Sequence, residues 1–187
     1  MKRLLCAAVI AFAIPNEAQA RECADLWSWL DRGYRRVIDT YEQGGNELLV
    51  SGYSYHIPGT WTPERRAQLN RNAWGLGWGH TVEDADGDTH TVFVLAFRDS
   101  HKHLQSQVGY AYSTFLGSRD GVQPGIGYTA MIAQRPDLVS GVPFPVLLPL
   151  LSLRFRQATL VATYIPRLNG GINHGSTLYV FGRYALY

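Results

Sequence analysis

Cysteine is almost missing: the 187 residues include two, Cys6 and Cys23. Charge is scarce as well. Lys, Arg, Asp and Glu supply 17% of the chain, where an ordinary soluble domain has about 25%. The net charge is +2, far from the strongly basic balance of a nucleic-acid binder, so no nucleic-acid partner is expected. No apolar run approaches about 18 residues, which excludes a membrane-spanning helix. Lysine is rare too: apart from Lys2, Lys102 stands alone, and every other basic residue is Arg, the better bidentate partner for phosphate and carboxylate. Aromatic residues are plentiful. They make up 12% of the chain beside 19 glycines, and a disordered chain would have few aromatics and more charge. An aromatic- and glycine-rich, charge-poor chain fits a β-protein at a membrane.

The N-terminus reads as a secretory signal peptide. Lys2 and Arg3 precede the apolar run Leu4 to Ile14, and Ala18-Gln19-Ala20 closes the segment. Pro15 ends that run well short of a membrane span. Cleavage after Ala20 is expected, leaving residues 21–187 as a single domain. Cys6 would leave with the signal, so Cys23 would have no partner in the chain and no disulfide framework is expected.

Residues 25–41 are predicted to form an amphipathic helix. Leu26, Trp27, Leu30, Tyr34, Val37, Ile38 and Tyr41 share one face, with Asp31, Arg32, Arg35, Arg36 and Asp39 opposite. Tryptophans and arginines on a short amphipathic helix suit a membrane interface. Gly44-Gly45-Asn46 ends it.

From Glu47 onward the period becomes two. Eight segments of strand length follow, at Glu47–Ile57, Ala73–Val82, Thr89–Arg98, Gln107–Leu116, Pro124–Gln134, Val146–Arg156, Ala158–Pro166 and Ser176–Tyr187. Trp74, Leu76 and Trp78 alternate with Gly75, Gly77 and Gly79; Phe93, Leu95 and Phe97 alternate with Val92, Val94 and Ala96. Neither face is charged. The expected arrangement puts bulky residues toward lipid and small ones around an apolar interior cavity. Connections after the second, fourth and sixth segments are short and the others longer, as in outer-membrane barrels. The fold class is therefore all-β: an eight-stranded antiparallel transmembrane β-barrel over residues 47–187, preceded by the amphipathic helix. Tyr187, with Phe181 and Tyr179 on the same face, matches the aromatic final strand common in such barrels.

Strand counting then gathers chemistry. Odd-numbered strands run in the same direction, so His56, ending the first, meets Asp99 and Ser100, which follow the third. A histidine base, a carboxylate and a hydroxyl are the components of acyl transfer. His101 and His103 are too few for a metal site; no metal and no cofactor is expected. Asp84 to Asp88 lacks the glycine and glutamate of a calcium loop and reads as a hairpin turn. Arg65, Arg66 and Arg71, in the first long loop, suit anionic headgroups. Pro149 and Pro166 fall on neighbouring strands, where proline removes ladder hydrogen bonds; a gap in the wall there would admit a lipid sideways.

These elements resemble a known family. Val94-Leu-Ala-Phe-Arg-Asp-Ser100, Pro143-Phe-Pro-Val-Leu-Leu-Pro149, Ala162-Thr-Tyr-Ile-Pro166, Trp74-Gly-Leu-Gly77 and Val108-Gly-Tyr110 are together similar to the PagP family of outer-membrane lipid A palmitoyltransferases. The resemblance implies transfer of a palmitoyl chain from the sn-1 position of a phospholipid to lipid A of lipopolysaccharide. The site would lie at the extracellular surface of the Gram-negative outer membrane, and the protein would act as a monomer or homodimer. It implies catalytic roles for His56, Asp99 and Ser100, substrate-binding roles for Arg135, Pro149 and Pro166, and a pocket floor at Ala111, where the best-known members have glycine. The expected mechanism has His56 as general base on the lipid A hydroxyl and Asp99 orienting the imidazole. Ser100 would be a nucleophile or, preferably, a donor to the tetrahedral intermediate. Family prolines flanking a second gap, between the first two strands, are replaced by Ser51 and Ala73. A lipid A deacylase or phospholipase, or a non-catalytic structural barrel, are the alternatives.

Overall fold

The computed structural model describes residues 17–136, 139–168 and 174–186. Residues 1–16 of the predicted signal peptide and the terminal Tyr187 lie outside them. The described residues divide into two compact units, one up to Asp39 and one from Thr40 onward.

Helix α1 spans Glu17–Gln43, beginning before the predicted Asp25 because Glu17 to Ala24 is rich in helix formers. On its polar face Arg35 Nε meets Asp31 Oδ2 at 2.7 Å. Leu30, Tyr34 and Val37 of the apolar face are exposed. Gly44 ends it by donating its amide to the Thr40 carbonyl at 3.1 Å; a Cβ there would sit 2.4 Å from that oxygen.

Eight strands follow: β1 Gly45–His56, β2 Asn72–Glu83, β3 Thr89–Arg98, β4 Leu104–Phe115, β5 Gln123–Gln134, β6 Phe144–Phe155, β7 Ala158–Ile165 and β8 Thr177–Ala185. Each pairs antiparallel with its neighbours, and β1 pairs with β8, so the barrel is closed. The predicted segments match within a few residues. One connection differs: β4 starts at Leu104 rather than Gln107, so the β3–β4 join shrinks to Asp99–His103. The first long loop contains a short helix, α2 (Pro63–Gln68), capped by Thr62.

The outer face is an apolar belt, with Trp74, Leu76, Val108, Ile126, Leu147 and Leu151 all exposed. The expected division into bulky outside and small inside fails in two places. First, Phe93, Leu95 and Phe97 of β3 point inward and are buried, while Val94 is exposed. Their register partners on β2 are Gly79, Gly77 and Gly75. A Cβ on Gly75 would stand 2.2 Å from Phe97 Cβ, so the β2 glycines make room for the β3 side chains and both strands keep one packed layer. Tyr179 and Phe181 of β8 likewise face the interior, where Tyr179 stacks on Phe97 at 4.8 Å.

Second, the interior is apolar only in the half near His56. Toward the opposite rim it is charged. Arg183 Nε bonds Glu47 Oε2 at 2.9 Å and Arg183 Nη2 bonds Thr91 Oγ1 at 2.6 Å; Thr81 donates to the same Glu47 oxygen at 2.8 Å. Both side chains of the ion pair are 5% exposed. Arg154 bonds Gln123 at 2.8 Å and lies 3.9 Å over the Phe115 ring. Charges so sparse in the sequence escaped the face count because each stands among apolar neighbours.

Candidate active site

His56 is the last residue of β1 and is 3% exposed, aimed inward by the alternation of that strand. Asp99 and Ser100 open the turn after β3. Asp99 Oδ1 accepts the backbone amides of His101 and His103, each at 2.8 Å. The carboxylate thereby holds the tight turn that presents Ser100, whose Oγ lies 2.9 Å from His56 Nε2. The three residues thus gather as expected, but the pairing differs: Ser100, not Asp99, touches the imidazole. Two buried polar atoms, His56 Nδ1 and Asp99 Oδ2, have no hydrogen-bond partner among the described residues.

These groups lie at the mouth of a cavity of about 590 Å³ that runs into the barrel. Its wall is made of Phe93, Phe97, Met131, Leu148, Leu150 and Phe181. Ala111 lies at its depth, between Thr91 and Thr129 in register, and the cavity reaches Leu49 and Arg183 of the charged layer. Arg135, just past β5, lines the mouth. Arg65, Arg66 and Arg71 do not line the cavity.

The wall is incomplete on one side. Strands β6 and β7 pair from Phe155↔Ala158 only as far as Leu150↔Thr163. Beyond that rung, residues 144–149 pair with β5 alone, and the Thr163 hydroxyl closes the last step by donating to the Pro149 carbonyl at 2.8 Å. The prolines sit as their chemistry requires: Pro149 has no N–H to offer, and Pro166 follows the end of β7. Leu147, exposed on the outer face, also lines the cavity, so the interior opens sideways through this gap. The β1–β2 wall, by contrast, is zipped. Despite a bulge between Ser51 and Tyr53, pairing continues to Tyr53↔Asn72. Ser51 bonds both the Ala73 carbonyl and the Tyr179 hydroxyl. Where the resemblance implied a second gap, this chain has a closed seam at Ser51 and Ala73.

Sequence reasoning missed Trp61 and Ser176. Trp61 meets His56 edge-on, with centroids 5.4 Å apart and planes at 89°. Both stand in loops, where periodicity carries no signal; the one hint was a large aromatic in an otherwise polar stretch.

The family described as "Antimicrobial peptide resistance and lipid A acylation protein PagP" matches residues 36–183. Among curated relatives, the lipid A acyltransferase PagP of Bordetella pertussis strain CS is 38% identical over 173 residues, covering 92% of this chain and 93% of the relative. That of Methylobacillus flagellatus is 32% identical over 170 residues (91% and 90%). That of Legionella pneumophila is 34% identical over 190 residues and covers all of both chains. With a closed eight-stranded barrel and a family match across nearly all of it, the chain belongs to the PagP family.

Proposed function

We propose that this protein is an outer-membrane lipid A acyltransferase that moves a palmitoyl chain from the sn-1 position of a phospholipid to a lipid A hydroxyl. Family membership supports the lipid A acyltransferase activity. The observation that carries the chemistry is the 2.9 Å contact between His56 Nε2 and Ser100 Oγ at the mouth of a laterally open apolar cavity. The donor's acyl chain would enter between β6 and β7, past Pro149 and Pro166, and fill the cavity toward Ala111. Its ester carbonyl would then rest beside His56.

In the proposed reaction His56 Nε2 takes the proton of the acceptor hydroxyl as its oxygen attacks the ester carbonyl. Ser100 Oγ–H stabilises the resulting oxyanion. Collapse expels the lysophospholipid oxygen, which recovers the proton from His56. The same geometry fits a second route, in which Ser100 is the nucleophile and His56 its base. Asp99 acts through the turn it holds and as a buried negative charge beside the site. Arg135 would meet an anionic headgroup. Apolar walls exclude water, which favours transfer over the hydrolysis of a deacylase or phospholipase.

The orientation proposed puts the His56 rim outside the cell. Its loops carry Arg65, Arg66, Arg71, Lys102 and Arg167, suited to anionic lipopolysaccharide, while Glu83, Asp84, Asp86 and Asp88 mark the other rim. Residues 1–20 would be removed on export, and 25–41 would lie in the membrane interface. One chain closes its own barrel, which supports action as a monomer or as a homodimer of independent sites. Mass spectrometry of lipid A from cells with and without the protein tests the reading. A gain of one palmitoyl group is expected; loss of an acyl chain would establish a deacylase instead.

A further inference from the structure

We infer that Trp61 and Ser176 are positioning residues that tie the edge of the lateral gap to the imidazole of His56. The inference rests on the reading of His56 as the reacting base. A histidine base normally has its ring oriented by a partner on the second nitrogen. Here Nδ1 has none among the described residues, so the ring is held by Ser100 at Nε2 and by the edge-on indole of Trp61.

Trp61 is itself fixed on two sides. Its Nε1–H donates to the Ser176 carbonyl at 2.9 Å. Its ring lies flat against Gly175, where a Cβ would stand 2.6 Å from three ring atoms, so only glycine permits the contact. Ser176, 4% exposed, is a junction. Its carbonyl also accepts the Ile57 amide at 3.0 Å, and its amide donates to Thr60 Oγ1 at 3.0 Å. Both partners belong to the segment that follows His56. Its hydroxyl meets the Tyr164 hydroxyl at 2.9 Å and accepts the Arg167 amide at 3.2 Å. Tyr164 and Arg167 bracket Pro166, at the free edge of the gap. One buried serine therefore joins the strand end past which the donor would enter to the loop that packs the base. Displacement of that edge by an entering lipid is transmitted through Ser176 to Trp61 and sets the ring of His56.

The test is steady-state acyl transfer from phospholipid to lipid A in detergent micelles by the purified full-length barrel. Trp61→Ala is expected to lower kcat by roughly 10–100-fold, the scale of a misplaced reacting group, with KM for the phospholipid nearly unchanged. Trp61→Phe, which keeps an aromatic edge against His56 but loses the N–H that joins Ser176, recovers only part of that loss. Ser176→Ala removes the Tyr164 and Arg167 contacts and lowers kcat less. The double variant Ser176→Ala/Trp61→Phe costs less than the two losses added together, because both act on one chain of contacts. An unchanged kcat in Trp61→Ala, equal losses in the Ala and Phe variants, or strict additivity in the double variant would overturn the proposal. Absence of transfer by the unaltered protein would instead overturn the functional reading on which it rests.

Discussion

The two halves of the barrel are built to opposite rules. In the half away from His56 every ladder is paired, and the interior charges Glu47, Arg183, Glu83 and Arg154 all have partners. In the half near His56 the β6–β7 ladder stops at Leu150↔Thr163, the interior is an open apolar cavity, and His56 and Asp99 each keep a buried polar atom without a hydrogen bond among the described residues. Missing ladder bonds and unpartnered ionisable groups are costly, and among the described residues they fall at the end where a lipid would supply the missing contacts, while the opposite half leaves only the hydroxyls of Thr89, Ser113 and Ser152 without a hydrogen bond. The fully paired half holds the fold that makes this tolerable.

The sharpest way to break the comparison is at its reactive end. His56→Ala should reduce transfer by about two to four orders of magnitude, the range for losing a general base, while the barrel keeps its heat-modifiable migration on gels. An active His56→Ala protein would remove the assignment. The mirror experiment acts on the other half. Glu47→Leu leaves Arg183 buried and unpaired and should destabilise the barrel by about 3–5 kcal/mol in denaturant titration. The double variant Glu47→Leu/Arg183→Met should recover much of this, since an apolar pair restores a satisfied interior. Comparable loss in single and double variants would show that the ion pair itself, rather than the avoidance of an unpaired charge, matters.

A third test addresses the boundary between the halves. Pro149→Ala together with Pro166→Ala offers new N–H groups to β6 and β7 and should slow donor uptake several-fold, read as a raised KM for phospholipid. Unchanged kinetics would point to entry elsewhere. The smallest effect is expected at the cavity floor. Ala111→Gly removes about one methylene of volume, so preference among saturated donors should shift toward a slightly longer chain, measured by mass spectrometry of the lipid A products. Activity itself should hardly change.

Much of this was legible beforehand, and the parts that were not share a cause. Strand count, connectivity and the meeting of His56 with Asp99 and Ser100 follow from period and direction, which a linear chain carries in full. The phase of β3 was not legible, because Phe93, Leu95 and Phe97 alternate with Val92, Val94 and Ala96, and either set could face lipid. Ser51 was readable as an absent proline but not as a seam, since its closure depends on Tyr179 from the far end of the chain. Asp99 was expected on the imidazole; short-range competition from two backbone amides in its own turn took one carboxylate oxygen instead.

The sequence by itself determined an eight-stranded barrel, its apolar belt, the proline-marked gap and the rim where the reactive side chains collect, because alternation, turn residues and missing N–H groups are local properties of the chain. Only the tertiary structure decided which face of β3 turns inward, where the interior becomes charged and which side chain touches His56. Those outcomes depend on volumes and hydrogen bonds between residues distant in sequence: glycines of β2 against aromatics of β3, Glu47 against Arg183, and Trp61 against Gly175. They take their values only when the closing of β8 onto β1 fixes every register at once.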